Sequence, residues 1–303
     1  MWGVAPPLLN QLRRETAMTS TDILLIDGDV LIYRCGFAAQ YTEYEVMDMD
    51  GSDSHIFRYK KEADKFIKEN PGSWEIVPRT IIEPVENAIH NLKSTLYAIC
   101  EKLESTEVKV FLTGVGNFRD KIAITLPYKG NRDKEARPVW YNEMRQYLID
   151  FWLAEVVNNC EADDVLADRH WRYLEPQFNL NPILVSIDKD LDQVEGWHYD
   201  WVKEIKYFVT PEEAEQNYWQ QVIMGDRTDN VQGIPGYGPV KANKLLKSAP
   251  SYEWEPLIFE LYKEHYPNNY EQVFDEHKQL IKLGVPDKNN NEKTELRLDS
   301  SIS

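Results

Sequence analysis

Short apolar runs ending on carboxylates recur along the 303-residue chain, separated by stretches whose apolar residues fall three and four apart. Ile23 to Ile26 is continuous and ends on Asp27, the pattern of a strand buried on both faces that carries a carboxylate to its C-terminal end. Val108 to Leu112 predicts a second strand. Ile183 to Ile187, entered after Pro182 and left on Asp188, predicts a third. Val85, Ile89, Leu92, Leu96, Ile99 and Leu103 alternate spacings of four and three, so 83–103 is an amphipathic helix. Further helices are expected from Val30 to about Gln40, Tyr141 to Leu153 and Asp163 to Leu174. Thr210 caps another, with Pro211 in its first turn, running to Met224. The remainder reads as helical over Trp254 to Tyr266 and Tyr270 to Leu283. Met47 to Pro78, with a turn at MDGSD and a polar KKEADKFIKEN that suits a short helix, reads as an insertion. Strands alternating with helices predict an α/β domain with a largely parallel sheet and a ligand site beyond the strands' carboxyl ends.

Composition narrows the classes. Hydrophobic residues make up 42%, with 9 Trp and 17 Tyr, as in an ordinary folded protein. Residues 1–20, an apolar patch broken by two prolines, read as a loosely attached leader and a poor signal peptide. No apolar run approaches the roughly 18 residues of a membrane span, and the polar 286–303 reads as a disordered tail. Cys35, Cys100 and Cys160 form no CxxC pair and read as reduced cytosolic thiols, against zinc or a disulfide framework. A formal charge of −17 argues at first sight against nucleic acid, whose binding depends on Lys and Arg.

The acidic residues are not scattered. Asp27 in LLIDGDVLIY, Glu161, Asp163 and Asp164 in CEADDVLA, Asp188 and Asp190 in VSIDKDLD, and Asp226 and Asp229 in MGDRTDN all fall at strand ends or helix starts. Taken singly each reads equally well as a helix cap or a solvated loop. Together, on one edge of a sheet, they would repel unless cations held them, and all-oxygen ligand sets favour Mg²⁺ or Mn²⁺. Two such ions about 3.5 to 4 Å apart would clamp the attacking and leaving oxygens of a phosphodiester.

Basic residues concentrate where the total hides them. Between Phe118 and Arg145 seven basic residues face four acidic ones, with Phe118, Tyr128, Trp140 and Tyr141 interleaved, the composition of a nucleic-acid strand guide or of a mixed-charge solvated helix. In GIPGYGPVKANKLL, Gly233, Gly236 and Gly238 allow a hook whose amides face a phosphate. Lys241, Lys244 and Lys247 then share an arc of about 120° on the following helix.

The motifs LLIDGDVLIYR, FLTGVGNFRDKI, LPYKGNR, CEADDVLA, VSIDKDLDQV and GDRTDNVQGIPGYGPVKANKLL, in this order, resemble those of the flap endonuclease and 5′→3′ exonuclease family, in particular the small bacteriophage enzymes. The resemblance implies a PIN-like α/β core over 21–209, with the insertion 47–78 and an arch or clamp over 118–140. It also implies a helical DNA-binding module over 210–285 with a helix-three-turn-helix at 226–247. It places one metal ion on Asp27, Glu161, Asp163 and Asp164, and a second on Asp188, Asp190, Asp226 and Asp229. Lys129 and Arg132 become the residues on the scissile phosphate. Tyr33, Arg34, Arg119, Tyr128, the three glycines and Lys241 become DNA contacts, and some relatives hold K⁺ at the helix-three-turn-helix. The implied substrate is double-stranded DNA with a 5′ end or flap, or an RNA–DNA hybrid, cut by a cytoplasmic monomer that removes primers or flaps in replication, in the host cytoplasm for a phage protein. One departure stands out: where relatives carry an aspartate after the second strand, FLTGVG has Thr113 and Gly114, with Asp120 nearby. That leaves a non-catalytic DNA-binding relative as one alternative. A haloacid-dehalogenase-type phosphatase, suggested by Asp27-Gly-Asp29 and Gly225-Asp226, is the other.

Overall fold

The computed structural model describes residues 22–131 and 137–286. In chain order the elements are β1 (Asp22–Asp27), α1 (Gly28–Ala38), β2 (Gln40–Asp48), β3 (Ser54–Phe57), α2 (Lys60–Glu69), β4 (Trp74–Ile82), α3 (Val85–Lys102), β5 (Glu107–Thr113), α4 (Arg119–Ile122), α5 (Tyr141–Trp152), β6 (Glu155–Val157), α6 (Ala162–Tyr173), β7 (Asn181–Val185), β8 (Gly196–Asp200), β9 (Ile205–Val209), α7 (Pro211–Met224), α8 (Pro239–Leu246), α9 (Trp254–His265) and α10 (Tyr270–Ile281). They divide into two compact units. One contains 22–30, 103–131 and 149–286, the other 31–102 and 137–148.

The first unit is built on a six-stranded sheet in the order β6-β5-β1-β7-β8-β9, parallel throughout except for β9, which runs antiparallel to β8. β1 lies in the interior between β5 and β7. That placement explains why its sequence is continuously apolar: Ile23 to Ile26 are all buried, as both faces of a parallel strand require. Phe111, Leu184, Leu166 and Ala162 pack with Ile23 and Leu25 in the core of this sheet. The expected α/β class and mostly parallel sheet are present.

A helical module follows in the same unit. Thr210 caps α7 as expected, its Oγ1 accepting the Glu213 amide at 3.2 Å while Glu213 accepts the Thr210 amide at 2.8 Å. Trp219, Val222, Ile223, Val231, Ile234, Leu246, Trp254, Ile258, Tyr262 and Phe274 form one core under α7–α10. Between α7 and α8 the chain folds back on itself. Gly225 (φ 71°) and Gly233 (φ 62°) bring two backbone segments so close that a Cβ on Gly233 would sit 2.2 Å from the Gly225 amide nitrogen.

The second unit holds more than the turn and short helix read from 47–78. The helix is there as α2, but it covers a three-stranded antiparallel sheet in the order β3-β2-β4 that begins at Gln40 and ends at Ile82. His55, Phe57, Phe66 and Trp74 cluster beneath α2, with ring centroids 4.4 to 5.3 Å from Phe66. Pro78 stands within β4, an edge strand, where a missing amide breaks no ladder.

No helix among the described residues is long and apolar enough to cross a membrane. The first unit does bury three histidines. His170 donates to the Glu195 carbonyl at 2.8 Å and His198 to the Val194 carbonyl at 2.7 Å. The Tyr262 hydroxyl donates to the Val222 carbonyl at 2.7 Å, so its oxygen is left to accept from Nδ1–H of His277 at 2.9 Å. Burial first, and the charge of His198 second, pull His170 down to about 4; burial pulls His277 down to about 4 against the charge of Glu276. A folded-state pKa below the unfolded value of about 6.5 contributes stability that is complete above pH 6.5 and is lost as pH falls towards 4. We therefore expect unfolding free energy from urea titrations to fall by roughly 2 kcal/mol or more per histidine between pH 7 and 4.5. His277→Gln should flatten that slope; an unchanged slope would contradict the assignment.

Candidate active site

The loop after β7, the start of α6 and the loop between α7 and α8 meet at one cavity of about 230 Å³ inside the first unit. Glu161, Asp163, Asp188, Asp190, Asp226 and Asp229 line it, together with Arg119, Tyr128, Lys129, Thr228, Gln193 and Gln221. Six of the eight carboxylates expected to bind metal thus share one space, from three separated motifs.

Asp27 stands behind this wall. It is 2% exposed, its Oδ1 accepting the Val30 amide at 3.1 Å as the cap of α1 and its Oδ2 accepting the Ser186 hydroxyl at 2.9 Å. Ser186 Oγ in turn accepts the Asp188 amide at 3.0 Å. One serine, not anticipated from the sequence, therefore couples the ends of β1 and β7. Its position two residues before Asp188 was the available signal.

Electrostatics mark the crowding. Burial, then the charge of Asp29, then that of Asp188, push Asp27 up to about 7. Burial, then Asp188, Asp226 and Asp229, push Asp190 up to about 7. Asp163 is raised well above the usual carboxylate range by burial and by Asp27, Asp188, Glu161 and Asp164. Carboxylates that oppose one another's ionisation form an all-oxygen donor set suited to a hard divalent cation. Among the described residues, however, no group of three or more His, Cys, Asp or Glu side chains stands at the spacing of a closed coordination shell.

Two expected roles change. Asp164 does not line the cavity and is fully buried. Its oxygens take both guanidinium nitrogens of Arg119 at 2.6 and 2.7 Å, the Glu161 amide at 3.0 Å and the Gly284 amide at 3.2 Å. Arg119, expected on DNA, is 1% exposed and spends its remaining donors on the carbonyls of Leu280 and Lys282, each at 2.8 Å. This is a bidentate buried ion pair. It leaves Asp164 no lone pair turned to the cavity, so of the four carboxylates expected on the first ion Glu161 and Asp163 line it.

PYKGN is bolted to the opposite loop. The Lys129 amide donates to the Asp229 carbonyl at 3.0 Å, Asn230 Nδ2 to the Pro127 carbonyl at 2.9 Å, and Asn131 Nδ2 to the Arg227 carbonyl at 2.6 Å. Lys129 itself lies in the left-handed region at φ 53°, a conformation that costs a non-glycine residue about 1 kcal/mol or more. Its ammonium pairs with Glu161 and lies 3.6 Å from Asp229. Tyr128 turns its hydroxyl inward, 2.5 Å from Asp229 Oδ2 and 3.1 Å from Glu161 Oε2. Arg132 lies outside the described residues.

On the far wall Gln221 donates to Asp190 and Gln193 donates to Gln221 and to the Ile281 carbonyl. This amide relay orients Asp190 and was not legible in sequence, since both glutamines sit in segments read only as helix or loop. Asp226 Oδ1 accepts the amides of Thr228 at 2.6 Å and Asp229 at 3.1 Å, rounding the loop that presents Asp229.

The remaining expected contacts divide. Gly233 is buried and packs backbone to backbone, so it shapes the hook without facing a ligand; Gly236 and Gly238 are exposed with open space around them. Lys241 lies over the Tyr237 ring, 3.6 Å from its centroid. Tyr33 and Arg34 belong to the second unit, Tyr33 edge-on to Tyr141 at 5.6 Å and Arg34 exposed. At Gly114, a Cβ would collide with the Asn158 side chain at 2.3 Å and the Val157 carbonyl at 2.5 Å. The carboxylate at that strand end comes instead from Asp29, whose Oδ2 accepts the Thr113 amide at 2.8 Å.

No family model matches the chain. Among curated proteins it is 29% identical over 188 residues to DNA polymerase I of Bacillus caldotenax, covering 55% of this chain and 20% of that one. It is 27% identical over 180 residues to flap endonuclease Xni of Shewanella piezotolerans (54% and 69%), and 31% identical over 185 residues to a 5′-3′ exonuclease of Mycoplasma pneumoniae (54% and 61%). The match therefore spans a fifth of the polymerase and about two thirds of the other two. A solved structure of the bacteriophage T5 D15 protein with metal ions aligns over 86% of this chain and 98% of that one, at 17% identity and a TM-score of 0.46.

The buried ion pair makes a direct prediction. Arg119→Met should destabilise the fold by about 3–5 kcal/mol, because Asp164 is left charged without a partner. The double variant Arg119→Met/Asp164→Leu should recover part of that loss. Urea unfolding of the three proteins reads it out, and an Arg119→Met midpoint equal to wild type would exclude the clamp.

Proposed function

We propose that this chain, a family-level match to the flap endonucleases and 5′→3′ exonucleases, is a divalent-metal-dependent, structure-specific 5′ nuclease that hydrolyses phosphodiester bonds in DNA. The observation that carries the reading is the convergence of carboxylates from three separated motifs on one cavity that Lys129 also lines. A nuclease core over 21–209, with an arch or clamp at 118–140, would carry the chemistry, and the helical module over 210–285 would grip the duplex.

Glu161 and Asp163 would hold one ion, with the buried Asp27 behind them; Asp188, Asp190, Asp226 and Asp229 would hold the second. Bound there, a pair of Mg²⁺ or Mn²⁺ ions supplies Lewis-acid polarisation of the phosphate and a water acidic enough to attack it. The chain's own residues do the rest. Ser186 and the Gln193–Gln221 relay fix Asp27, Asp188 and Asp190 in direction, so little reorganisation is left for the reaction. Lys129, with Arg132 of the same motif, meets the non-bridging oxygens of the scissile phosphate. The Gly236–Gly238 hook and Lys241 take backbone phosphates away from the cut, a contact that carries no base sequence. K⁺ at this hook, RNA–DNA hybrids as substrate, a monomeric state and a cytoplasmic location are part of the same reading.

The phosphatase alternative needs Asp27 open to a phosphomonoester. Its burial and its two engaged oxygens oppose that.

A 5′-flapped duplex and a blunt duplex, each labelled at either end, test the proposal in Mg²⁺, Mn²⁺ and EDTA. Metal-dependent release of the flap or of short 5′ products is expected. Binding without cleavage in either metal would replace the enzyme by a DNA-binding relative. Asp188→Asn should lose cleavage while retaining duplex affinity, and wild-type turnover by that variant would sink the metal assignment. Lys129→Ala should lower kcat on the order of 10²-fold at saturating DNA; an effect confined to KM would contradict its contact with the reacting phosphate.

A further inference from the structure

Tyr128 presents the wrong face for the role its position suggests. Its ring belongs to the core of the helical module, packed with Trp219, Val222 and Ile223, and the residue is 8% exposed. A nucleobase needs an open ring face of comparable area to stack on, which a ring in a closed core does not offer. Only the hydroxyl reaches the cavity.

That hydroxyl stands between two carboxylates from opposite walls. Glu161 precedes the first turn of α6, where its amide is tied to Asp164. Asp229 sits on the loop after α7, where its amide is tied to Asp226. Two anionic groups facing each other across a small cavity push their supporting loops apart unless something between them attracts both. The phenol has one proton and donates it to Asp229 at 2.5 Å, with Glu161 3.1 Å from the same oxygen, while the Lys129 ammonium pairs with Glu161. The Lys129 ammonium, also 3.6 Å from Asp229, bridges the two charges, and the phenol adds a neutral bond that fixes where the Asp229 carboxylate stands beside Glu161.

We propose that Tyr128 is a positioning residue whose hydroxyl sets the separation of Glu161 and Asp229, and so the affinity of the cavity for divalent cations. The consequence for turnover rests on the nuclease reading; the consequence for cation affinity does not. Three backbone and amide hydrogen bonds already lock 127–131 to 227–230, so the phenol oxygen is held in place from below. Removing the oxygen while keeping the ring isolates its contribution. Groups that orient metal-binding side chains are worth about 10- to 100-fold in metal affinity in other proteins.

The experiment is Tyr128→Phe on the full chain, with Mn²⁺ binding to the DNA-free protein followed by electron paramagnetic resonance. We expect at least one Mn²⁺ to bind about tenfold more weakly, with the thermal midpoint within a few degrees of wild type. On flapped DNA kcat at limiting Mg²⁺ should fall, higher Mg²⁺ should restore it, and KM for DNA should stay within about twofold. Wild-type Mn²⁺ affinity in Tyr128→Phe overturns the proposal, and if Tyr128→Leu then loses DNA affinity, stacking replaces it. Should wild type bind no Mn²⁺, both readings fall. Should wild type bind Mn²⁺ without cutting DNA while Tyr128→Phe binds it weakly, the positioning role stands and the nuclease reading fails.

Discussion

One buried ion pair holds the candidate site together. Arg119 and Asp164 meet through two hydrogen bonds under the cavity floor, and each uses its remaining capacity on a different element. Asp164 draws in the amide of Glu161 at the head of α6 and that of Gly284 beyond α10. Arg119 draws in the carbonyls of Leu280 and Lys282. Three segments far apart in the chain are thus fixed to one point by charge-assisted bonds in a region from which water is excluded. Such a pair is dangerous to a fold if half made, because either charge alone is costly, and here all three guanidinium nitrogens and both carboxylate oxygens find partners.

A second constraint follows from the sign of the cavity. Burial first, and the charge of neighbouring carboxylates second, raise the proton affinity of Asp27, Asp163 and Asp190 at the sheet's edge. The fold tolerates this by meeting the acids with neutral donors: Ser186 on Asp27, Gln221 on Asp190, Tyr128 on Asp229. Lys129 is the cation at the rim, and it is held there in a backbone conformation that non-glycine residues seldom adopt. Residues in such sparsely populated conformations persist only where the surroundings over-determine them, as the three hydrogen bonds between 127–131 and 227–230 do here.

Gly114 illustrates how a missing side chain can reflect packing. The neighbouring Asn158 and Val157 leave no room for a Cβ, and Asp29 supplies a carboxylate at the same strand end from the start of α1. The glycine at this position is thus explained by the close packing of the loop before α6.

The strands β1, β5 and β7, the helix α3, the cap at Thr210 and the grouping of acids at strand ends were legible because each is written in local periodicity or in residues a few positions apart. The sheet β3-β2-β4 was not, because its strands are half exposed and mix charges with β-branched residues, a pattern no single window separates from loop. Nor could sequence spacing distinguish Asp163 from Asp164. They are adjacent, both acidic and both at a helix start, and only the turn of α6 sends one to the cavity and the other to Arg119. Arg119 and Tyr128 likewise carried the composition of a nucleic-acid surface, yet their burial depends on α10 and α7, more than 90 residues away. By itself the sequence determined which residues could carry chemistry, since that rests on residue type and local period. Tertiary structure decided which of them face the cavity, because burial and ion pairing are properties of segments that meet only in the folded chain.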